Sequence, residues 1–564
     1  MGKRTVQAAG SHGKTGRGEK KGKEEGFLEP AWEQMTEIYL WIMLAVYPLF
    51  MGRGYEELVY KKWMLFLYAS LAFVLVSLVC GTAIFFRNRQ SAKKQGMAGR
   101  QAENGKSAGI LGGFGSGTDR WMAADWFAAV YLIAVLVSYV GAIDRKAAFW
   151  GVDTWYMGLV SQVLFIGIYF GVSRGYSGLK YLRVLAASVW GIVGGIVVLQ
   201  RFGLDVAHLY QGFGEEVKLD FVTTLGQVTW SSSYLSILLA AGMGIYFLTE
   251  TKRWKVFWGC CMGLGFAVEM LLNSDSGIIA VFAAFMVMLW LAVGNGKRLL
   301  ALTETVMAAL LAAAVVGILE RIFGERMVPI DAVYLKAAQS GAVYVLLAAV
   351  VVFYLAVRKV WVHKDGAVRE AAGKKAVKII RGIYVACVCL GIAGVAVLFF
   401  LHGKGYFAGS PTENYFRFTI WWGNSRGFIW RTGAAVFADF NLWRKLFGCG
   451  PDCFTPYAYR LMGDAINGFW HNQLVPNVHN EWFNGLINYG IVGGTAYLGI
   501  FVSAAYGLMK TAWERESAVV FGIGLASAAY IAHNVLCYQQ VIGTPLMFLL
   551  LGIGVAKVRK ESWE

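Results

Sequence analysis

Charged residues are scarce in this chain. They make up 15% of its 564 residues, whereas soluble domains devote about a quarter of their residues to charge. Proline is also rare, with 8 residues, and 8 cysteines are too few to cross-link a chain of this length. These shortages exclude a single soluble domain, proline-rich disorder and a disulfide scaffold. Hydrophobic residues make up 57% of the chain, and this excess predicts a polytopic membrane protein.

Apolar runs divide the chain into segments that can cross a hydrocarbon core of about 30 Å. They lie near 36–52, 62–86, 123–143, 157–173, 184–200, 230–249, 256–272, 276–293, 299–317, 340–357, 383–401, 482–508, 518–536 and 543–556. The sequence therefore predicts an all-α fold with about 14 (12–14) transmembrane helices. It has four parts, namely a basic disordered tail (1–35), helices 1–11 (36–401), an outer loop subdomain (402–481) and helices 12–14 with the C-terminus (482–564).

The basic residues indicate how these segments are oriented. Alternating the connecting segments between the two sides of the membrane places 35 of the 52 Lys and Arg residues on the side that holds the N-terminus. Cytoplasmic loops of membrane proteins are enriched in Lys and Arg. Both termini are therefore expected in the cytoplasm. The net charge of +17 follows mainly from this topology, so we do not expect a nucleic-acid partner.

Residues 402–481 form the one long segment on the predicted outer side. The segment is dense in Trp, Phe, Tyr and Arg, and aromatic residues favour the membrane interface. A structureless loop of this length is uncommon in a compact protein. We therefore expect a folded subdomain that lies against the membrane and carries function.

At the end of this loop a histidine stands a fixed distance before three glycines. In HNEWFNGLINYGIVGG, nine residues separate His479 and Asn480 from Gly490, and Gly493 and Gly494 follow. Asn480 is expected to cap a helix, whose positive end would keep His479 neutral, as a general base requires. Gly490 and Gly494 suit the close approach of another helix. The spacing resembles the signature of the O-antigen ligase and polymerase family.

Upstream, the segment RGFIWR begins at Arg426 and ends at Arg431. Guanidinium groups offer planar, permanently charged donors that suit a diphosphate, although an interfacial arginine also meets lipid headgroups. The GCGPDCF segment that follows resembles the same family's outer-loop turn. Its Cys449 and Cys453 either pair or remain free thiols.

The resemblance extends more weakly over residues 123 to about 550, with the ligase-like region near 230–505. One departure concerns NSDSG, where Asp275 stands at the position of a family arginine. Arg431, Arg201 or Arg145 would then have to supply the second cation. Asp275 would either bind a sugar hydroxyl or cap the eighth helix.

The resemblance implies a GT-C-like helical fold in the plasma (inner) membrane. It also implies metal-independent, inverting transfer or polymerisation of a polyprenyl-diphosphate-linked glycan onto a glycan or lipid acceptor on the extracytoplasmic face, without a cofactor. His479 would be the base and Arg426 would stabilise the leaving diphosphate. The expected substrate-binding residues are Arg431, Asn480, Asp275, Arg201 and Glu481. No Asp-x-Asp motif or histidine-rich ligand set stands on the outer side, so we expect no metal.

Two other functions fit the same composition. A transporter or flippase for lipid-linked glycan would also be a glycine-rich bundle, with broken helices and polar residues near the midplane. A glycan-binding receptor would bind the glycan on the aromatic loop without catalysing a reaction on it. The sequence does not separate polymerase from ligase, and it does not identify the sugar.

Overall fold

The computed structural model describes residues 27–52, 54–99, 121–178, 181–329, 333–362, 369–410 and 412–560. Over these residues the regular secondary structure is helical apart from one antiparallel pair of two-residue strands. Ten of the described helices are long and apolar enough to cross a membrane, and two shorter apolar helices accompany them. The protein is therefore an all-α, multi-pass membrane protein.

The first part of the bundle runs to residue 326. Its helices are α1 (Leu28–Trp41) with a π-helical turn (Ile42–Val46), α2 (Tyr47–Leu49), α3 (Leu58–Gly99), α4 (Ala123–Val140), α5 (Arg145–Trp150), α6 (Leu159–Gly175), α7 (Leu182–Arg201), α8 (Val217–Asp220), α9 (Val228–Leu248), α10 (Lys252–Leu272), α11 (Asp275–Ala292) and α12 (Gly296–Phe323), followed by a 3-10 turn (Gly324–Arg326). The strands β1 (Phe221–Val222) and β2 (Gly226–Gln227) form a small hairpin that leads into α9.

The second part contains the long loop and the last helices. They are α13 (Val333–Gln339), α14 (Ala342–Val362), α15 (Arg369–Gly403), α16 (Glu413–Phe416), α17 (Trp422–Asp439), α18 (Leu442–Phe447), α19 (Phe454–Trp470), α20 (Glu481–Arg515), α21 (Ala518–His533) and α22 (Gly543–Lys560). The predicted tail ends earlier than expected, because α1 begins at Leu28; the first 26 residues lie outside the described part of the chain.

Helix α9 occupies the centre of the bundle. It is surrounded by protein on all sides, since 94% of the residues in its membrane-spanning stretch are buried. Helix α15 lies at the periphery, because none of the residues in its membrane-spanning stretch is buried inside the protein. The main core joins α9 to α20, α21 and α22.

The two ends of the described chain lie at the same end of the bundle. Lys560, the last residue of α22, approaches Glu33 of α1 to 3.7 Å. The opposite end carries the start of α9, the start of α20 and the folded segment 402–481. That segment has a hydrophobic core of its own, formed by residues such as Ile429, Phe440 and Phe454.

Candidate functional site

Helix α20 is broken at Gly490. The residue has φ 68° and ψ −173°, a conformation that is essentially restricted to glycine. An added Cβ on Gly494 would lie 3.2 Å from the carbonyl carbon of Gly485. In a straight helix nine residues span about 13.5 Å, so the chain turns sharply here. The short arm 481–489 therefore packs against the long arm that begins at residue 491.

The turn between α18 and α19 fits into this break. A break in a helix leaves carbonyl groups without their usual partners. The Cys449 N–H donates to the Ile487 carbonyl at 3.0 Å, and the Gly450 N–H donates to the Asn488 carbonyl at 3.2 Å. A Cβ on Gly490 would lie 2.3 Å from the Leu446 carbonyl group. Glycine is needed at this position because two backbones meet there.

This geometry corrects one expectation about the glycine motif. Gly490 and Gly494 do not lie on one common helical face, and only Gly490 admits another helix, the end of α18. Gly490 breaks its own helix and meets the backbone of residues 446–447, while Gly494 contacts Gly485 and Leu486 of the same helix. The position of Gly490 therefore determines where α20 bends. This bend orients the short arm of the helix, which follows His479 and Asn480.

The start of α20 agrees with the expected cap. The Asn480 side chain accepts a hydrogen bond from the Phe483 N–H at 3.0 Å, so it is the N-cap of α20. His479 precedes it in the left-handed region, with φ 53°, and its N–H donates to the Asn477 side chain at 2.8 Å. A non-glycine residue held in this region stores strain, which is common at functional sites. Asn480 therefore fixes the helix end, with its side-chain oxygen occupied.

Arg426 is presented by a second strained segment. Gly423, Asn424 and Ser425 all have positive φ, so the right-handed part of α17 begins at Arg426. One guanidinium nitrogen, Nη1, donates to the Gly423 carbonyl at 3.0 Å. The Nε atom is buried and has no hydrogen-bond partner among the described residues. A buried donor without an acceptor is costly, so this nitrogen is available for a ligand.

The structure brings Arg426 and His479 together. Burial, together with the positive charge of the Arg426 guanidinium, lowers the pKa of the His479 imidazole to about 3. The imidazole is therefore neutral throughout the physiological pH range. Its ring meets the ring of Tyr538 edge-on, with centroids 4.8 Å apart. Tyr538 lies between α21 and α22, and the sequence analysis did not single it out.

Arg431 lies apart from this pair. Five positions along an α-helix rotate a side chain by about 140°, so Arg426 and Arg431 point in different directions. Arg431 is exposed, donates to the Phe418 carbonyl at 3.2 Å and lies over the Phe418 ring. Its expected contribution to the same site does not fit this placement.

Arg201 has a structural role. It is 1% exposed, and its guanidinium donates to the carbonyls of Leu271, Lys218 and Leu219 at 2.9, 2.6 and 3.4 Å. These bonds tie α7 to the end of α10 and to α8. The assignment of Arg201 to substrate binding is therefore corrected, since its donors serve the backbone.

Asp275 and Arg145 are both exposed first residues of their helices. The N-cap of α11 is Ser274 rather than Asp275, whose carboxylate instead adds negative charge to the first helical turn. The next residue, Ser276, is hydrogen-bonded to His533 at 3.0 Å. Asp275 thus lies at the site end of the bundle and remains accessible from outside.

Glu481 is buried beneath the site, with 2% of its surface exposed. Its Oε1 accepts hydrogen bonds from Tyr497 and Tyr530 at 2.5 and 2.7 Å. Its Oε2 has no partner among the described residues. Glu269 in α10 is similar: Ser232 donates to one carboxylate oxygen at 2.9 Å, and the other has no partner in the described part of the chain. The acids lie inside the bundle rather than at its surface.

Asp452, in the Gly-Pro-Asp turn, does more than shape that turn. It is 1% exposed, and its carboxylate accepts from the Val152 N–H at 2.8 Å and from the Met157 N–H at 3.2 Å. Burial raises the pKa of the Asp452 carboxyl to about 7. Cys449 and Cys453 are free, buried thiols, which resolves the two alternatives left by the sequence.

A large cavity lies away from this site, inside the bundle. It is lined almost entirely by apolar side chains of α7, α9, α10, α21 and α22, and it approaches Arg183 at the start of α7. Apolar walls offer no polar groups for chemistry on a glycan. Among the described residues, no group of three or more His, Cys, Asp or Glu is arranged to hold a metal ion.

Comparisons with known proteins add no relative. No family model matches the chain, and no curated protein matches it.

Proposed function

We propose that this protein is a membrane glycosyltransferase that transfers or polymerises a polyprenyl-diphosphate-linked glycan, in the manner of the O-antigen ligases and polymerases that its His479 segment resembles. The observation that carries the proposal is the convergence of a neutral, half-buried imidazole and a guanidinium with an unsatisfied nitrogen at one end of a membrane bundle. Arg426 comes from α17 and His479 from the segment before α20, and strained backbone presents both.

Arg426 is suited to the leaving group. When the bond between the anomeric carbon and the diphosphate breaks, the electron pair stays with the diphosphate and negative charge grows on it. A fixed guanidinium beside that charge lowers the barrier, since it needs no rearrangement during the reaction. Arginine also offers two donors side by side to phosphate oxygens, which lysine does not.

His479 is suited to activating the acceptor. The acceptor hydroxyl oxygen forms the new bond to the anomeric carbon, and its proton passes to the imidazole. Without a bound ligand, His479 is a weak base because the pKa of its imidazole is about 3. A diphosphate bound at Arg426 would place negative charge near the imidazole and raise that pKa, because an opposite charge favours the protonated form. The base would therefore gain strength when the donor is bound.

Reaction from the extracytoplasmic side is part of this proposal. The basic residues favour a cytoplasmic location for both termini, and the site lies at the end of the bundle opposite to the described termini. Nucleotide sugars are absent there, so a lipid-linked donor suits the location. Both polymerase and ligase activity fit the site, since they differ only in the acceptor.

The test compares paired variants in cells that make the lipid-linked glycan. His479→Ala and Arg426→Lys are expected to abolish the polymer or glycolipid bands on a glycan gel at unchanged protein level. His471→Ala and Arg431→Lys are the matched controls, because both residues are exposed and lie in the same subdomain. Undiminished product from stable His479→Ala protein would refute the assignment of the base.

A transporter of lipid-linked glycan is the second candidate, and the break in α20 favours it. Broken helices are common at the substrate sites of transporters. A carrier would move labelled lipid-linked glycan across a vesicle membrane, and His479→Ala would leave that movement intact. A transferase in the same vesicles would form a new glycosidic bond without net translocation.

A further inference from the structure

Four aromatic rings stand in a row beside the candidate site. His479 meets Tyr538 with centroids 4.8 Å apart, Tyr538 meets Trp155 at 4.9 Å, and Trp155 meets Trp230 at 6.0 Å. The Trp230 indole also donates to the Tyr538 hydroxyl at 3.0 Å. The rings come from α9, from the segment before α20 and from two loops. The tertiary structure therefore builds an aromatic wall that ends at the proposed base.

Trp155 is held in place by an unusual loop. Its neighbours Thr154 and Tyr156 both have positive φ, at 72° and 58°. Strain of this kind persists only where surrounding contacts hold it, and Asp452 provides them through its hydrogen bonds to residues 152 and 157. The Gly-Pro-Asp turn thus positions Trp155 next to Tyr538.

Trp155 has an unsatisfied donor. Its side chain is partly exposed, but the indole Nε1 is buried and has no acceptor among the described residues. A small cavity between Trp155, Trp230 and Gln540 has room for a water-sized group such as a hydroxyl. A buried N–H without an acceptor is costly, so the arrangement favours a ligand that brings an oxygen to this point.

We propose that the Trp155 indole, backed by Trp230 and Tyr538, binds the sugar ring next to the diphosphate of the donor, an inference that rests on the proposed transferase function. A pyranose has faces made of C–H groups that pack on an aromatic ring and a rim of hydroxyls that accept from an N–H. Trp155 supplies both partners. The rings run from Trp155 through Tyr538 to His479. A sugar that packs on Trp155 would therefore lie along this row, with its diphosphate toward Arg426. Donor recognition thus has separate parts for sugar and diphosphate.

The experiment separates these two parts by calorimetry on the full chain in lipid nanodiscs. The probes are farnesyl diphosphate and the same lipid diphosphate carrying glucose or N-acetylglucosamine. The wild type is expected to bind the sugar-bearing probes about tenfold more tightly than the bare diphosphate, the scale of one good aromatic contact. Trp155→Ala is expected to reduce that ratio to about one, with binding of farnesyl diphosphate unchanged. Trp443→Ala, an exposed tryptophan on α18, is expected to retain the ratio.

Trp155→Leu keeps apolar bulk but removes the aromatic face and the N–H, so it tests the proposal if the alanine variant does not fold. A retained ratio in either folded variant, or equal binding of both probes by the wild type, would overturn the sugar site. The diphosphate site has its own test: if Arg426→Gln binds farnesyl diphosphate as tightly as the wild type, the proposed function loses its anion site, whatever the ratio at Trp155.

Discussion

Replacing Gly490 with alanine should open the turn that joins the outer segment to α20. The backbone conformation at this position costs about 1–3 kcal/mol for a residue with a Cβ. The added Cβ would also lie 2.3 Å from backbone atoms of Leu446 and Phe447, which cannot rotate away as a side chain can. Moving them would break the hydrogen bonds from Cys449 and Gly450, at about 0.5–1.5 kcal/mol each. The expected loss of stability is about 2–6 kcal/mol in total.

Thiol labelling reports this change locally. Cys449 is fully buried in the turn, so it should react with a maleimide only when the turn opens. The background signal is removed by replacing the exposed Cys260, Cys387 and Cys389 and the half-buried Cys261 with serine. In detergent, Gly490→Ala should accelerate labelling of Cys449 and lower the midpoint of thermal unfolding.

Gly468→Ala is the matched control. Gly468 is an exposed helical residue of α19, and a Cβ there would meet no atom within 4 Å. Alanine is the better helix former, so this variant should be as stable as the wild type or slightly more so. If Gly490→Ala and Gly468→Ala show the same rate of Cys449 labelling and the same unfolding midpoint, the turn does not need glycine at position 490 and the reasoning is refuted.

Three further outcomes follow from buried groups. The folded-state pKa of Asp452, about 7, lies above its ordinary value of 3.8, so the folded protein binds more protons between these pH values and stability falls as pH rises through 7. Asp452 thus contributes about 4 kcal/mol to the pH-dependent part of the free energy of unfolding. Asp452→Asn should remove this pH dependence when unfolding midpoints are measured over a pH series. An unchanged pH dependence in the variant would contradict the burial argument. Tyr530→Phe should cost about 1–2 kcal/mol, because Glu481 loses one of its two donors, and a differential scanning fluorimetry midpoint equal to the wild type would count against that pairing. Arg201→Lys should lower the unfolding midpoint with unchanged affinity for farnesyl diphosphate, and a selective loss of affinity would restore Arg201 to the binding site.

Local features were predictable because they depend on residues that are close in the chain. Apolar runs partition into the membrane wherever they occur, so the positions of most helices follow from hydropathy. The Asn480 cap follows equally, since a cap needs only the three residues after it. The break at Gly490 had no such signal, because a glycine pair in a membrane helix is also typical of helix packing.

The placement of the arginines depended on packing between distant segments. Arg201 and Arg426 carry the same charge, and both were plausible partners of a phosphate. One is enclosed by backbone carbonyls that need its donors, whereas the other keeps a nitrogen without a partner beside His479. Hydropathy and motif spacing do not show which arginine binds the backbone and which remains available to a ligand.

Residue type and spacing along the chain were enough to indicate a helical membrane protein, a capped helix at Asn480 and a histidine poised at its end. They contain no information on which loops meet. The contact between Trp155 and Tyr538, and the hold of Asp452 on residues 152–157, exist because the chain folds back between helices far apart in sequence. Those long-range contacts form the wall of the proposed site, since binding a ligand requires groups that converge in space.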